Sequence, residues 1–293
     1  MSKKIIAILL ALSFVFAFAA CTAKEETPTT TAPVETTEDI FAQGETEAPV
    51  VDVTEAPVEG TEAPVEGETA VSEEATTEAA NAMPQTKEEI VNYFNTASNG
   101  VKTNATKVTR KYSKISLNGK STFPSAINGI LKLLGGADEF LGDQLAKNSK
   151  GEETYTGAQI KAVYPVEGES YVSKLTAADV SKATCVEKDG KWVITVTTIA
   201  DSKSDSIKHG QGHAPKAFNV VLPGVVNDNI PGVAKSIVGT AKMDYPASTC
   251  KITVDPATGR VLEADYDLKW TINFDDAGVI IPFTTNDLFI ITY

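Results

Sequence analysis

The sequence predicts an α+β domain, a curved antiparallel β-sheet packed against a few helices, carried behind a disordered stalk. Three observations predict it. Leu262, Ala264, Tyr266, Leu268, Trp270, Ile272 and Phe274 alternate without a break against Glu263, Asp265, Asp267, Lys269, Thr271 and Asn273. That period of two marks a strand with one buried and one wet face, the habit of antiparallel sheets. Helical patterns come early in the chain, hairpin signals come later, and no βαβ unit repeats, which argues against a doubly wound parallel sheet. Residues 22–85 hold 16 Asp/Glu, one Lys and a single aromatic, Phe41. They have too little apolar surface to offset the entropy of ordering.

At the N-terminus, Lys3 and Lys4 precede an apolar run from Ile5 to Phe18, then Ala19, Ala20 and Cys21. A short basic region, an apolar core and small residues before a cut make residues 1–20 a secretory signal peptide. Phe18-Ala19-Ala20-Cys21 resembles the lipobox of bacterial prolipoproteins, with Phe18 where an aliphatic residue is usual. The resemblance implies cleavage before Cys21 and diacylation of that cysteine. The protein would then sit lipid-anchored on the outer face of the bacterial cell membrane, exposed to the wall and exterior. Two acyl chains anchor stably where one binds only marginally. No other stretch reaches 18 consecutive apolar residues, so no further membrane-spanning helix is expected.

Residues 21–85 are then the lipidated N-terminus and a Thr/Glu/Pro-rich linker. Thr-Glu-Ala-Pro-Val recurs at 46–50, 54–58 and 61–65. Proline and mutual repulsion of glutamates keep such a segment extended, and even an ideal coil of this length spans about 45 Å. The linker also explains the net charge of −13. The chain has 26 Lys/Arg and 39 Asp/Glu; with Lys3, Lys4 and the linker's own charges removed, residues 86–293 carry 23 of each. The globular part is neutral.

That part, residues 86–293, opens with a capping box, Thr86 with Glu89. Ile90, Phe94, Ala97 and Val101 follow on one helical face, with Asn99-Gly100 as the expected stop. Lys107–Leu117 is strand-like and ends at Asn118-Gly119, a hairpin turn signal. Ala126, Ile127, Ile130, Leu131 and Leu134 form an apolar helix stripe closed by Gly135-Gly136. Phe140, Leu141 and Leu145 suggest a second, shorter helix. Thr176 and Asp179 cap one turn. Ala183–Glu187 and Lys191–Ile199 flank Asp189-Gly190, a type I′ hairpin signal. Residues 201–217 are polar and glycine-containing, a long loop; Val233–Lys242 is expected to be helical. The turn at Asp255–Gly259 joins Cys250–Val254 to the alternating strand, and Leu288–Tyr293 is the last strand. The architecture resembles the half-barrels of bacterial lipoprotein and lipid carriers, but no motif carries site residues over from them.

Catalytic motifs are incomplete. Gly119-Lys120-Ser121-Thr122 has the tail of a P-loop, but Lys114 stands where its first glycine belongs. Ser248-Thr249-Cys250-Lys251 matches a Ser-x-x-Lys pattern without its companion motifs. His209 and His213 flank glycines in the polar loop, and with Asp201 and Asp205 they form a candidate metal set. No glutamate base accompanies them. Export permits a disulfide between Cys185 and Cys250; the other reading is two thiols packed as small apolar residues.

Between Ile90 and Ala137 stand seven basic residues, Lys102, Lys107, Arg110, Lys111, Lys114, Lys120 and Lys132, and no acid. They could face anionic lipid or an anionic envelope polymer, or find acids on neighbouring strands. The apolar stretch with Ile127, Ile130, Leu131 and Leu134 is either a helix buried under the sheet or, together with Trp270, the border of a cavity for an apolar ligand. The expectation is a non-enzymatic binding role for a small, lipidic or envelope ligand. A metal-dependent hydrolase using His209 and His213 is the alternative, and a purely structural envelope module the third. No cofactor and no nucleic-acid partner are expected.

Overall fold

The computed structural model describes residues 82–164, 173–230 and 232–293. The expected signal peptide, Cys21 and the expected linker up to residue 81 lie outside the described residues. The first helix of the described residues, α1 (Lys87–Asn104), begins at the capping box: Thr86 accepts from the Glu89 amide, and the Glu89 side chain accepts from the Thr86 amide. Its stripe of Ile90, Val91, Phe94, Ala97 and Val101 is buried. Gly100 does not stop it; the helix runs one more turn to Asn104.

Among the described residues nine antiparallel strands make one open sheet. They are β1 (Lys107–Leu117), β2 (Glu153–Thr156), β3 (Val180–Lys188), β4 (Lys191–Thr198), β5 (Asp201–Ser204), β6 (Lys242–Tyr245), β7 (Thr249–Asp255), β8 (Arg260–Phe274) and β9 (Val279–Thr292). The main path runs β2-β1-β9-β8-β7-β4-β3, while β6 pairs with the far end of β8 and β5 pairs with β6. The other α-helices among the described residues are α2 (Ser125–Leu131), α3 (Ala137–Asn148), α4 (Ala158–Val163), α5 (Pro223–Asn229) and α6 (Gly232–Val238). The α+β class and the antiparallel sheet are as the sequence predicts.

The long strands carry the core on one face. Ala264, Tyr266, Leu268, Trp270, Ile272 and Phe274 of β8 are all buried. Thr271 and Asn273, expected on the wet face, are buried too, and Leu262 breaks the predicted alternation. A register shift pairs Val254 with Val261 and Thr253 with Glu263, so Val261 turns inward in its place. The Asp189-Gly190 hairpin forms between β3 and β4, with Asp189 at φ 53. Asn118-Gly119 does not make a hairpin. β1 pairs instead with β2 and with β9, 14 residues long and reaching well upstream of the expected Leu288. Lys242 belongs to β6 and not to the helix expected over Val233–Lys242.

The cysteines do not bond. Cys185 lies opposite Ile194 of β4, and Cys250 lies opposite Val196 on the other edge of β4. A whole strand separates them, roughly twice the 4.7–4.9 Å strand spacing, beyond the Cα separation a disulfide tolerates. Both are free thiols, Cys250 fully buried.

Candidate functional site

A register irregularity in β1 creates the site. Arg110 pairs with Phe289 and Tyr112 with Leu288, leaving Lys111 as an extra residue. Bulges of this kind re-aim side chains. Here Arg110 and Ser113, three residues apart, both belong to the inward-facing set, Ser113 opposite Asp287 and Asp287 opposite Tyr266. Directly paired residues share a face, so a polar row Ser113-Asp287-Tyr266 crosses the buried side of β1, β9 and β8.

Above this row lies a cleft of about 60 Å³. Its floor includes Arg110, Ser113, Tyr266, Leu268, Trp270, Thr285 and Asp287; its other walls come from Val163 of α4 and from Phe218, Asn219 and Val221. The aromatic side is rigidly packed. Trp270 stacks on Phe283 at 4.2 Å and donates through Nε1 to Thr285 Oγ1 at 3.0 Å. Tyr266 meets Phe218, Phe289 and Tyr164 edge to face.

Four of the residues that line the cleft each carry a side-chain atom that is shielded from solvent and has no hydrogen-bond partner among the described residues: Arg110 Nε, Asn219 Oδ1, Tyr266 OH and Asp287 Oδ1. An orphaned buried polar group costs about 1–3 kcal/mol, and native structures keep few of them. Arg110 and Tyr266 are only 8% and 4% exposed. The rest of the guanidinium is engaged: Nη2 donates to Glu153, and the group lies over the Tyr155 ring at 5.4 Å. Burial raises the Asp287 carboxyl above the usual carboxylate range, against the Ser113 hydroxyl and the charges of Arg110 and Lys150. Burial likewise pushes the Tyr266 phenol well up. The Tyr164 and Ser98 hydroxyls lie near that phenol but outside hydrogen-bond geometry.

The wall segment before Phe218 is clamped by two aspartates. Asp201 accepts from the amides of His213 (2.6 Å) and Ala214 (2.8 Å). Gly212, at φ 78, makes room for it, since a Cβ there would sit 2.6 Å from Asp201 Oδ1. Asp179 accepts from Lys216 Nζ at 2.6 Å, from both the amide and the hydroxyl of Thr176, and sits 2.9 Å from His213 Nδ1. Tyr245 donates to the Val221 carbonyl at 2.7 Å.

The described contacts do not bring the candidate metal set together. His213 lies against Asp179, and the Asp201 carboxylate accepts from backbone amides. Among the described residues no three His, Cys, Asp or Glu side chains form a group that could hold a metal ion. In this loop Gly212 serves the Asp201 clamp, and the Gly210 amide donates to the Pro215 carbonyl. The Ser-x-x-Lys match is also structural: Ser248 Oγ donates to the Pro246 carbonyl and accepts from the Lys269 amide, and Lys251 pairs with Asp265.

Of the residues expected to border an apolar cavity, Trp270 lines the cleft, whereas Ile127 and Leu131 are buried in the core and do not. The side chains of Ile130 and Leu134 lie outside the described residues. The basic run is partly answered by β2, where Glu153 takes Arg110, and by the adjoining Glu152, which takes Lys111; Lys102 is buried. Arg110, Asn219, Tyr266 and Asp287 are functional candidates that the sequence reading missed. An acid in the inward phase of β9 is the signal that could have found them. No family model, curated protein or solved structure matches the chain, so the geometry alone supports a functional reading.

Proposed function

We propose that this is a lipid-anchored protein of the outer face of a bacterial cell membrane whose ectodomain binds a small envelope ligand without transforming it. The binding role rests on one observation: four residues that each carry an orphaned, buried polar atom line a single cleft with an aromatic wall. Proteins retain such groups at a cost to stability where function uses them. Among the described residues no histidine, cysteine or lysine lines the cleft, so its carboxyl has no described partner of the kind that acyl or phosphoryl transfer uses. Binding fits the residues better than catalysis does.

The anchor is supported by the charged, apolar and small-residue sequence ending at Cys21. No helix among the described residues is long and apolar enough to cross a membrane. Cys21→Ser is therefore expected to shift the protein from the membrane to the soluble fraction. A variant that still pellets and resists salt extraction would mean that the apolar segment itself is the tether.

The binding reading is tested through Trp270, one of two tryptophans in the chain. In full-length Trp192→Phe protein, Trp270 is the only indole. Titrating it with an enzymatic digest of the cell wall and with a lipid extract of the same envelope is expected to give a saturable emission change with one of them. Flat titrations with both would leave the structural-module reading.

A further inference from the structure

A cleft of about 60 Å³ has room for roughly four waters at 10–15 Å³ each. A larger ligand enters only if a wall moves. The floor is held by the long ladders of β1 with β9 and of β8 with β9, so it is the fixed part. The facing walls are Val163, at the end of the six-residue α4, and Phe218, Asn219 and Val221, which lie outside any helix or strand. An irregular wall opposite a laddered floor is the part that can give way.

Besides Asp201, Asp179 and Tyr245, a strap from α1 holds that wall. Asn95 and Asn99, one turn apart on α1, grip residues Ser173–Leu175. Asn99 pairs with the Ser173 backbone as a neighbouring strand would: its Nδ2 donates to the Ser173 carbonyl at 3.0 Å, and its Oδ1 accepts from the Ser173 amide at 2.8 Å. Asn95 Nδ2 donates to the Leu175 carbonyl and its Oδ1 accepts from Ser173 Oγ, both at 2.7 Å. Between the buried Ser173 and Leu175, the exposed Lys174 donates through its amide to the Lys216 carbonyl at 3.0 Å. Phe218 follows two residues later. The strap is the weakest of these ties. Asp201 and Asp179 act through charge-assisted bonds, roughly twice as strong as neutral ones, and Tyr245 is fully buried. Every one of these strap bonds is neutral, and Asn95 and Asn99 are only half-buried, so water can replace the bonds at little net cost. Leu175, 2% exposed, keeps the downstream end in place through its burial, which leaves Ser173 and Lys174 free to lift.

Resting on the binding reading above, we propose that Ser173–Leu175 is a latch on the cleft: when Ser173 and Lys174 leave Asn95, Asn99 and Lys216, the Phe218-Asn219 wall swings from the sheet about its aspartate-held end and admits the ligand. Asn95 and Asn99 are then positioning residues that act through the strap and touch no ligand. The full-length Trp192→Phe protein reads the latch without any ligand. Trp270 is 2% exposed, so acrylamide quenching of its emission reports the opened fraction. Asn99→Ala is expected to raise the quenching constant at least threefold. Amide exchange should quicken over residues 213–221 while β8 and β9 exchange as in the parent protein. Asn95→Ala, which spares the bonds to the Ser173 backbone, is expected to show the same change in smaller measure, and it carries the test if Asn99→Ala fails to fold. Thr86→Ala removes the cap of the same helix and weakens α1 generally. It is expected to change neither readout.

Unchanged quenching in both asparagine variants would overturn the latch. So would an increase that Thr86→Ala matches, or exchange that quickens equally over β8 and β9, since either marks general weakening of the fold. These readouts need no ligand, which separates them from the titration with wall digest and lipid extract. A saturable titration with unmoved quenching discards the latch and keeps the binding reading. Raised quenching with flat titrations shows a strap that opens onto no ligand, and the entrance role then falls together with the binding reading.

Discussion

Trp270→Ala is expected to destabilise the protein by about 3–5 kcal/mol, the range for deleting a large buried aromatic. Trp270 is 2% exposed, stacked on Phe283 and hydrogen-bonded to Thr285. Its removal would leave Thr285 Oγ1 without that donor and join a new void to the cleft beside it. Two adjoining spaces collapse less readily than one, and the cost of such a truncation rises with the volume left open. Lys269, one residue away, projects from the other face and carries no ion pair among the described residues. Lys269→Ala is expected to cost less than about 0.5 kcal/mol. Urea denaturation of both variants at neutral pH reads the difference. Equal losses would mean that the outer face of β8 is as closely packed as the inner one.

The contrast between these neighbours is legible in the sequence because β8 alternates regularly around them, from Ala264 to Trp270, a pattern that survives almost any tertiary context. The capping box of α1 and the Asp189-Gly190 hairpin are legible for a similar reason: each is set by local hydrogen bonds or by φ preference. What the sequence hides depends on partners distant in the chain. The bulge at Lys111 flips the parity of β1, so a reader counting twos from Val108 places Ser113 on the wrong face. The bulge that turns Val261 inward has the same effect on Leu262. The short strands β2, β5 and β6 have four residues each, too few to show a period. The last strand looks as if it starts at Leu288 because Thr284, Thr285, Asn286 and Asp287 resemble a turn. With their pairing to β1 and β8 they continue β9, and Asp287 falls on the buried side. The apolar strand face alone places Trp270 at the border of a ligand site. Arg110, Asn219 and Asp287 cannot be joined to it without the register.

Asp179 should dominate the acid sensitivity of the wall that carries Phe218 and Asn219. Its side chain is 4% exposed, and burial alone would raise its pKa. The hydrogen bonds from Lys216, from Thr176 and from His213 outweigh burial and hold it at about 2, against an ordinary 3.8. A carboxylate with a depressed folded-state pKa stabilises the fold above its unfolded value and loses that contribution as pH falls through the folded one. The stability from Asp179 is therefore complete above about pH 5 and lost between about pH 4 and pH 2. The shift corresponds to on the order of 2 kcal/mol. Asp179→Asn keeps the size but cannot carry the charge. Its deficit relative to the wild type is expected to be about 2 kcal/mol at pH 6 and to shrink toward zero near pH 2. Asp179→Ala, which also strands the Thr176 amide and the Lys216 ammonium, is expected to cost about 3–5 kcal/mol at pH 6. Because Asp179 ties the start of β3 to residues 213–216, the alanine variant should also loosen the chain leading into Phe218. Faster amide exchange at residues 213–219 would then accompany the loss of stability. A deficit in the Asp179→Asn variant that stays constant from pH 6 to pH 2 would show that the carboxylate acts through shape alone and that its charge is not what holds the wall.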